Sequence, residues 1–336
     1  MFMARQCFLF VVMFVMLISF TAAQSWSASP FEGKTVKIVC GYDPGGGYDR
    51  MSRLLAKHLP KYIPGKPVFV VENMPGAATI VAANYIYNIA KPDGLTVGTF
   101  DRSLPFAQLR KAEGVKFDLA KYSWVGSMAS EATVLIIGAD TPFKTLDDLR
   151  KSTKPIYIGA TGPTAPGATF VALAKTYIGL NIQFVMYTSS GAEELALQRK
   201  EVYGRGGSYT SNRIYIERGT VRVLLRPRIN EPALEKVPID EDMTDNPLGK
   251  TLMAMRTGSD RIGRPFVAPP NTPPDVMNIL RDGFAKVAKD PEALAEANKV
   301  LMKVEYTPAD ECVKVISYIL TQPDNVVKEF EKLIRF

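Results

Sequence analysis

Residues 35–49 read TVKIVCGYDPGGGYD, a β-rich run that passes through a glycine-rich turn into a helical pattern. The β-branched residues of 35–40 predict a strand. From Tyr48 to about residue 59, apolar residues recur at helical spacing on one side. We therefore predict a strand, a turn and a helix, with Asp49 and Arg53 paired one helical turn apart.

The same order recurs along the chain. Residues 68–71 predict a second strand, which ends in the turn ENMPGA at 72–77 and leads into a helix through Ile89. Further strands are predicted at 95–100, 134–137, 155–158, 182–187 and 221–225, and further helices at 167–177, 192–199, 275–288, 291–301 and from Pro308 to a break near Pro323. This alternation implies parallel sheets. Because the rhythm restarts at residue 155, we predict two α/β units whose glycine-rich turns face one cleft.

The turn at 44–49 suits an anion. Glycines let the backbone approach a ligand, and the helix that follows points its first free N–H groups at the same place. The alternative is a plain tight turn. A nucleotide site is a further alternative, since Gly45 and Gly47 give a G-x-G start and Glu72 ends the next strand, but Arg50 occupies the place of the third glycine.

Catalytic patterns are weak in this sequence. It has no serine-centred elbow, no phosphate-binding lysine loop and no pair of metal-binding histidines. We predict that its single histidine, His58, lies at the surface. The acidic pairs Asp147-Asp148 and Glu193-Glu194 are predicted to begin helices and to complement the helix dipole.

The amino terminus predicts export. A short positive start containing Arg5 precedes an apolar run at 8–20 and the small residues Thr21-Ala22-Ala23. This order is typical of a cleaved secretory signal over residues 1–23, with the mature protein beginning near Gln24. The alternative, a membrane anchor, requires roughly 18 or more apolar residues, and this run is shorter.

Charge and cysteine content add modest constraints. Of the 336 residues, 46% are hydrophobic and 22% are charged, and the formal net charge of +7 falls to +6 once Arg5 is removed with the signal. Scattered positive charge suits capture of anions and gives little support to nucleic-acid binding. Cys40 and Cys312 remain after processing, and we favour two buried free thiols over a disulfide between them.

Several stretches together resemble one receptor family. They are VCGYDPGGGYD at 39–49, RLLA at 53–56, VVENMPGA at 70–77, PDGLT at 92–96, PFKTLDDL at 142–149 and PPNTPP at 269–274. In this order they are similar to the periplasmic solute receptors of tripartite tricarboxylate transporters, the Bug or TctC type. The resemblance covers nearly the whole mature chain.

The resemblance implies an α/β, two-lobed fold of the type II periplasmic-binding-protein kind. Each lobe is expected to be a mainly parallel sheet flanked by helices, with the ligand cleft between the lobes. We expect residues 24–127 and 255–336 to form lobe 1 and residues 128–254 to form lobe 2. Two chain crossings near residues 128 and 254 are expected to act as a hinge.

The resemblance also implies a carboxylate site between the two lobes, with no catalytic residue, metal or cofactor. We expect a carboxylate at the N–H groups of Gly46, Gly47 and Tyr48, with Asp49 bracing the turn. The complete set of expected ligand-binding residues is Tyr42, Gly46, Gly47, Tyr48, Asp49, Ala77, Ser103, Thr161, Gly162, Thr164, Arg205 and Ser208.

The second lobe departs from the family. Its turn at 159–169 lacks the family's histidine and contains Pro163 and Pro166, which have no N–H to donate. Threonine hydroxyls are the expected substitutes. Arg205 either pairs with a second ligand carboxylate or lies in a solvated loop. Ligand identity therefore does not follow from the resemblance.

We expect a periplasmic receptor that captures a small carboxylate and delivers it to the membrane subunits of a tripartite transporter. An exported α/β enzyme, or a ligand-sensing protein that uses the same cleft, remains an alternative.

Overall fold

The computed structural model describes residues 29–162 and 165–333. Eleven strands within these residues form two sheets. The first contains β1 (Thr35–Cys40), β2 (Val68–Asn73), β3 (Thr96–Thr99), β4 (Ser123–Ser127), β10 (Pro265–Ala268) and β11 (Thr307–Pro308), in the order β11-β4-β10-β3-β1-β2. β1 pairs in parallel with β2 and β3, whereas β10, β4 and β11 pair antiparallel.

The second sheet contains β5 (Thr133–Gly138), β6 (Ile156–Ala160), β7 (Ile182–Met186), β8 (Gly204–Ser208) and β9 (Val221–Leu225). Their order in the sheet is β7-β6-β8-β5-β9. β6 pairs in parallel with β7 and β8, and β5 pairs antiparallel with β8 and β9. Both sheets are therefore mixed, and their parallel parts carry the strand–turn–helix units that the sequence predicts.

Helices flank both sheets. Those of the first half are α1 (Gly47–His58), α2 (Ile80–Asn88), α3 (Leu104–Leu109), α4 (Leu146–Arg150), α5 (Pro166–Leu173) and α6 (Ser190–Gln198). Those of the second half are α7 (Tyr209–Glu217), α8 (Pro247–Arg261), α9 (Pro274–Val287), α10 (Pro291–Lys299), α11 (Ala309–Leu320) and α12 (Asp324–Leu333). None of the described helices has the length and apolar composition needed to cross a membrane.

Each sheet has its own apolar core. In the first, Ile38 packs with Leu55 of α1 and Phe266 of β10. In the second, Leu135 packs with Phe170 of α5. The last helix joins the second core, where the Phe330 ring lies 4.7 Å from that of Phe106. Burial of these two apolar sets explains why the sequence forms two sheet units.

Two chain segments that lie next to each other connect the two sheets. Residues 128–132 run from β4 to β5, and the chain returns through α8 to β10. The Met128 N–H donates to the Arg264 carbonyl over 2.9 Å, and the Glu131 N–H donates to the Asp260 carbonyl over 2.9 Å. The connections are thus hydrogen-bonded to each other at the base of the cleft.

The two-sheet architecture confirms the predicted α/β, two-lobed fold class. The expectation that each sheet is mainly parallel is wrong, because β10, β4 and β11 in the first sheet and β5 in the second pair antiparallel. The helix break at Pro323 is confirmed, as are the Asp49–Arg53 ion pair at 2.9 Å and the buried free thiols of Cys40 and Cys312. The capping box formed by Thr145 and Asp148 also places an acidic pair at a helix start as predicted. The signal segment lies outside the described residues.

The surface position predicted for His58 is wrong. Its side chain is buried, with Nε2 3.1 Å from Glu296 and Nδ1 3.7 Å from Asp290. Helix α10 returns over the carboxyl-terminal end of α1 and covers it. The ammonium of Lys61 lies 3.1 Å from Asp290, which His58 also approaches, and 2.5 Å from Glu292.

Candidate ligand-binding cleft

The glycine-rich turn presents free backbone donors. Helix α1 begins at Gly47, and its N-cap residue, Gly46, has no side chain to cap the first-turn N–H groups. Gly45 has φ +92°, a conformation that favours glycine. The turn therefore leaves helix N–H groups directed at the space in front of it, as an anion site requires.

Asp49 braces this turn from behind. Its buried carboxylate accepts from the Gly45 N–H over 2.8 Å, from Arg53 over 2.9 Å and from the Asn73 amide over 2.9 Å. Burial by itself would raise the pKa of Asp49, but these hydrogen bonds outweigh it and hold the pKa below its usual value. The side chain is therefore a charged, fully bonded support.

Two stacked tyrosines line the cleft beside the turn. The rings of Tyr42 and Tyr48 lie 4.6 Å apart. The Tyr42 hydroxyl donates to Asp101, and the Tyr48 hydroxyl accepts from the Arg102 N–H over 3.1 Å. Burial raises the pKa of Tyr48 to about 12, so its hydroxyl is neutral at physiological pH.

Two arginines bring positive charge to the same end. Arg102 follows β3 and bonds through Nε to Asp260 over 2.8 Å, and its Nη2 donates to Thr133 over 3.2 Å. Arg264 immediately precedes β10, and its guanidinium carbon lies 4.3 Å from the centre of the Tyr48 ring. Both line the cleft between the sheets.

Close backbone packing shapes the opposite wall. A Cβ on Gly167, at the start of α5, would lie 2.1 Å from the Gly206 carbonyl oxygen. A Cβ on Gly206 would lie 2.2 Å from the Gly167 carbonyl oxygen. Glycine at both positions lets α5 rest directly on the central strand β8. This contact brings the ends of β6 and β8 together at the cleft.

The solvated-loop alternative for Arg205 is wrong. Arg205 is a strand residue of β8 and only 5% exposed. Its Nη2 donates to Asn212 over 2.5 Å, and its guanidinium lies 3.4 Å from Glu193 and 3.7 Å from Glu194. Burial raises the pKa of Glu193, and Arg205 opposes that shift. Glu193 therefore does more than complement a helix dipole.

The cleft encloses about 370 Å³. Its lining residues from the first sheet unit include Tyr42, Gly46, Gly47 and Tyr48, and those from the second include Thr161, Arg205 and Ser208. The structure thus brings seven of the expected residues together from both sheets.

The other expected residues lie elsewhere or behind this surface. Asp49 supports the turn, and Gly162 does not line the cavity. Ser103 lines a separate cavity of about 60 Å³, and Ala77 is exposed in a left-handed segment with φ 45°. Thr164 lies outside the described residues.

The sequence reasoning missed several charged residues of the cleft. Asp101, Arg102, Glu193 and Arg264 all line it. Asp101 and Arg102 lie two and three residues after the end of β3, and this position could have indicated a role in the site, because ligands bind at the carboxyl ends of parallel strands. Arg264 follows no such strand and reaches the cleft through the return connection.

The tripartite tricarboxylate transporter family receptor model matches residues 51–331. The chain belongs to this receptor family. It is therefore a solute receptor of the TctC type rather than an enzyme.

Similar proteins agree with this assignment. A UPF0065 protein of Bordetella pertussis is 26% identical over 278 residues, which is 80% of this chain and 81% of the relative. Three solved structures share the fold. A TctC solute-binding protein from Polaromonas has a TM-score of 0.70 at 19% identity, over 90% of this TctC receptor and 98% of the other chain. A protein of R. palustris with adipate has a TM-score of 0.68 at 18% identity, over 91% of this chain and 99% of the other. MatC from Rhodopseudomonas palustris with bound malate has a TM-score of 0.64 at 17% identity, over 90% of this chain and 99% of the other.

Proposed function

We propose that this TctC receptor captures a small organic acid in the cleft and delivers it to the membrane subunits of a tripartite tricarboxylate-type transporter. The observation that carries the proposal is the uncapped start of α1, which faces a 370 Å³ cavity together with Arg102 and Arg264. Helix N–H groups and guanidinium groups both favour a carboxylate.

Malate and adipate in the two similar R. palustris structures support this ligand class. Both are small acids with two carboxylates. In our proposal one carboxylate meets the N–H groups of Gly46, Gly47 and Tyr48, and the rest of the molecule reaches Thr161, Arg205 and Ser208. Gly162 and Thr164 belong to the same second-lobe turn, and we retain them in the proposed site. Ordered water can complete such contacts at little cost in affinity.

We further propose that lobe 1 comprises residues 24–127 and 255–336 and that lobe 2 comprises residues 128–254. Ala77 and Ser103, on the lobe 1 side, would join the site on closure. The paired segments at the base of the cleft would then act as the hinge, since they are the places where the chain changes sheets.

We propose a periplasmic location, with residues 1–23 removed on export. Amino-terminal sequencing of the protein from the periplasmic fraction should give a start near Gln24. A membrane-bound product that retains Arg5 would contradict this part of the proposal.

The ligand class is tested by calorimetry with malate, adipate, succinate, acetate and benzoate, together with mass spectrometry of small molecules released from the purified protein. We expect saturable binding of at least one acid at one site. Failure to bind any of these acids, with no acid released, would contradict the proposal.

A further inference from the structure

Arg264 lies beside the turn at which a ligand carboxylate is expected. Its Nη2 lies 2.6 Å from the point where a Cβ on Gly47 would stand, so the guanidinium rests on the first residue of α1. The residue lines the cleft and is 8% exposed. The free N–H groups of the turn and the positive charge of Arg264 therefore converge on one end of the cavity.

Three contacts fix the orientation of this guanidinium. It stacks on the Tyr48 ring at 4.3 Å, its Nη2 lies 2.7 Å from Glu131, and its Nη1 donates to the Gly263 carbonyl over 3.1 Å. A cation held over an aromatic face is attracted by the negative charge of that face. Such a side chain is preorganised, so little freedom is lost when a ligand binds.

The guanidinium retains capacity for a second anion. Arginine has five N–H donors in a planar fork. Within residues 29–162 and 165–333, its contacts with Glu131 and Gly263 involve one terminal nitrogen each, and Nε donates to no protein acceptor. A planar guanidinium presents more than one edge, so an acid on one side does not prevent a carboxylate from binding on another.

Glu131 positions Arg264. It is a buried residue of the connection between β4 and β5, and its second carboxylate oxygen accepts the hydroxyl hydrogen of Ser208. The carboxylate thus lies between the end of β8 and the guanidinium. It holds Arg264 over the turn from the lobe 2 side.

We propose that Arg264 contacts the ligand directly and sets the charge specificity of this end of the cleft, with Glu131 as its positioning residue. One ligand carboxylate lies between the first-turn N–H groups of α1 and the Arg264 guanidinium. This inference rests on the proposed function, because it assumes a carboxylate ligand.

The test measures affinity for the acid panel and for adipamide, in which both carboxylates of adipate are replaced by neutral amides. We expect Arg264→Gln to lower acid affinity about 10- to 100-fold, the loss associated with a charged hydrogen bond. Arg264→Lys keeps the charge without the planar fork, so its affinity for the acids should lie between those of Arg264→Gln and wild type. Arg213→Gln is the matched control, since the Arg213 side chain is half-exposed, forms a salt bridge with Glu217 and does not line this cleft.

The preference for adipate over adipamide distinguishes ligand contact from a structural role. This preference should fall about 10-fold or more in Arg264→Gln, whereas a general loosening of the cleft would lower the affinity for both compounds by similar factors. Because Arg264→Gln leaves Glu131 buried without its cation, the double variant Glu131→Gln/Arg264→Gln provides a second measurement in which both charges are removed.

An Arg264→Gln or double variant that binds the acids within twofold of wild type would overturn the inference and leave the proposed function intact. An unchanged preference for adipate over adipamide would also overturn it. Failure of the wild-type protein to bind any acid would overturn both proposals. This outcome is distinguishable from the others because it is seen with the unsubstituted protein.

Discussion

The Arg264 guanidinium packs directly against Gly47, where only a residue without a side chain leaves room for it. A Cβ on residue 47 would lie 2.6 Å from the arginine Nη2. The glycine was predicted to allow a ligand to approach the backbone. In the structure it also allows a cation to approach, so the turn and the return connection form one end of the cleft. The contact therefore links the glycine-rich turn, which the sequence predicted to bind the ligand, with Arg264, which it did not.

We predict that ligand binding compacts the protein. The two connections are hydrogen-bonded at Met128–Arg264 and Glu131–Asp260, so they provide a defined axis about which the lobes can move. A ligand stabilises a closed state only through contacts that it gains there. Small-angle scattering of ligand-stripped protein should show a smaller radius of gyration after addition of a bound acid. An unchanged radius at saturation would contradict hinge closure.

We predict a pH-dependent stability that originates at Asp240. Burial, partly opposed by Arg256, raises the pKa of Asp240 from 3.8 to about 6. Because the folded pKa is raised, its favourable contribution is complete below about pH 3.8 and is lost as the pH rises through about 6. Between those values the wild type should lose roughly 1–3 kcal/mol relative to Asp240→Asn.

Urea denaturation across pH 4 to 7.5 measures this difference. Asp245→Asn, at a nearby exposed aspartate, is the control and should follow the wild type. A wild type that gains stability over Asp240→Asn as the pH rises would show that the interaction with Arg256 outweighs burial.

We predict that Arg205→Ala destabilises the fold by about 3 kcal/mol at neutral pH, since it leaves acids without their buried cation. Arg205 lies 3.4 Å from Glu193, whose pKa is already raised by burial. Without Arg205 that pKa should rise further, so the loss should be smaller at pH 5 than at pH 8. Adding Glu193→Gln should recover much of the stability.

Denaturation of the single and double variants at both pH values tests this account. Equal losses at pH 5 and pH 8 would argue against Glu193 as the cause. In binding, Arg205→Ala should cost roughly 1.5–3 kcal/mol only if the ligand has a second acidic group, so acetate serves as the comparison for adipate.

The local signals of the sequence predicted much of the fold. The strand–turn–helix at 35–59 carries its own β-branched run, glycines and helical spacing, and Asp49 and Arg53 are neighbours on one helix. Strand β8 has no such signal, since its sequence GRGGS is poor in β-formers. It is a central strand because its glycines let α5 lie against it, and Gly167 is 37 or more residues away from them in sequence.

The same limit applies to the site. The Gly46–Tyr48 turn was accessible to prediction because its chemistry is local. Arg264 reaches that turn only because α8 returns the chain to β10, and His58 is buried only because α10 covers α1. These placements depend on long-range packing, which residue spacing does not encode.

The measurement that bears most directly on the carboxylate anchor is a calorimetric titration of wild type and Gly47→Val with the acid that binds best. A valine would occupy the space of the Arg264 guanidinium and block the approach to the first-turn N–H groups. Because the obstructing atom ends a flexible side chain, we expect the variant to fold, which circular dichroism checks. We predict loss of detectable binding in a folded Gly47→Val protein. Wild-type affinity in that folded variant would contradict the first turn as the anchor.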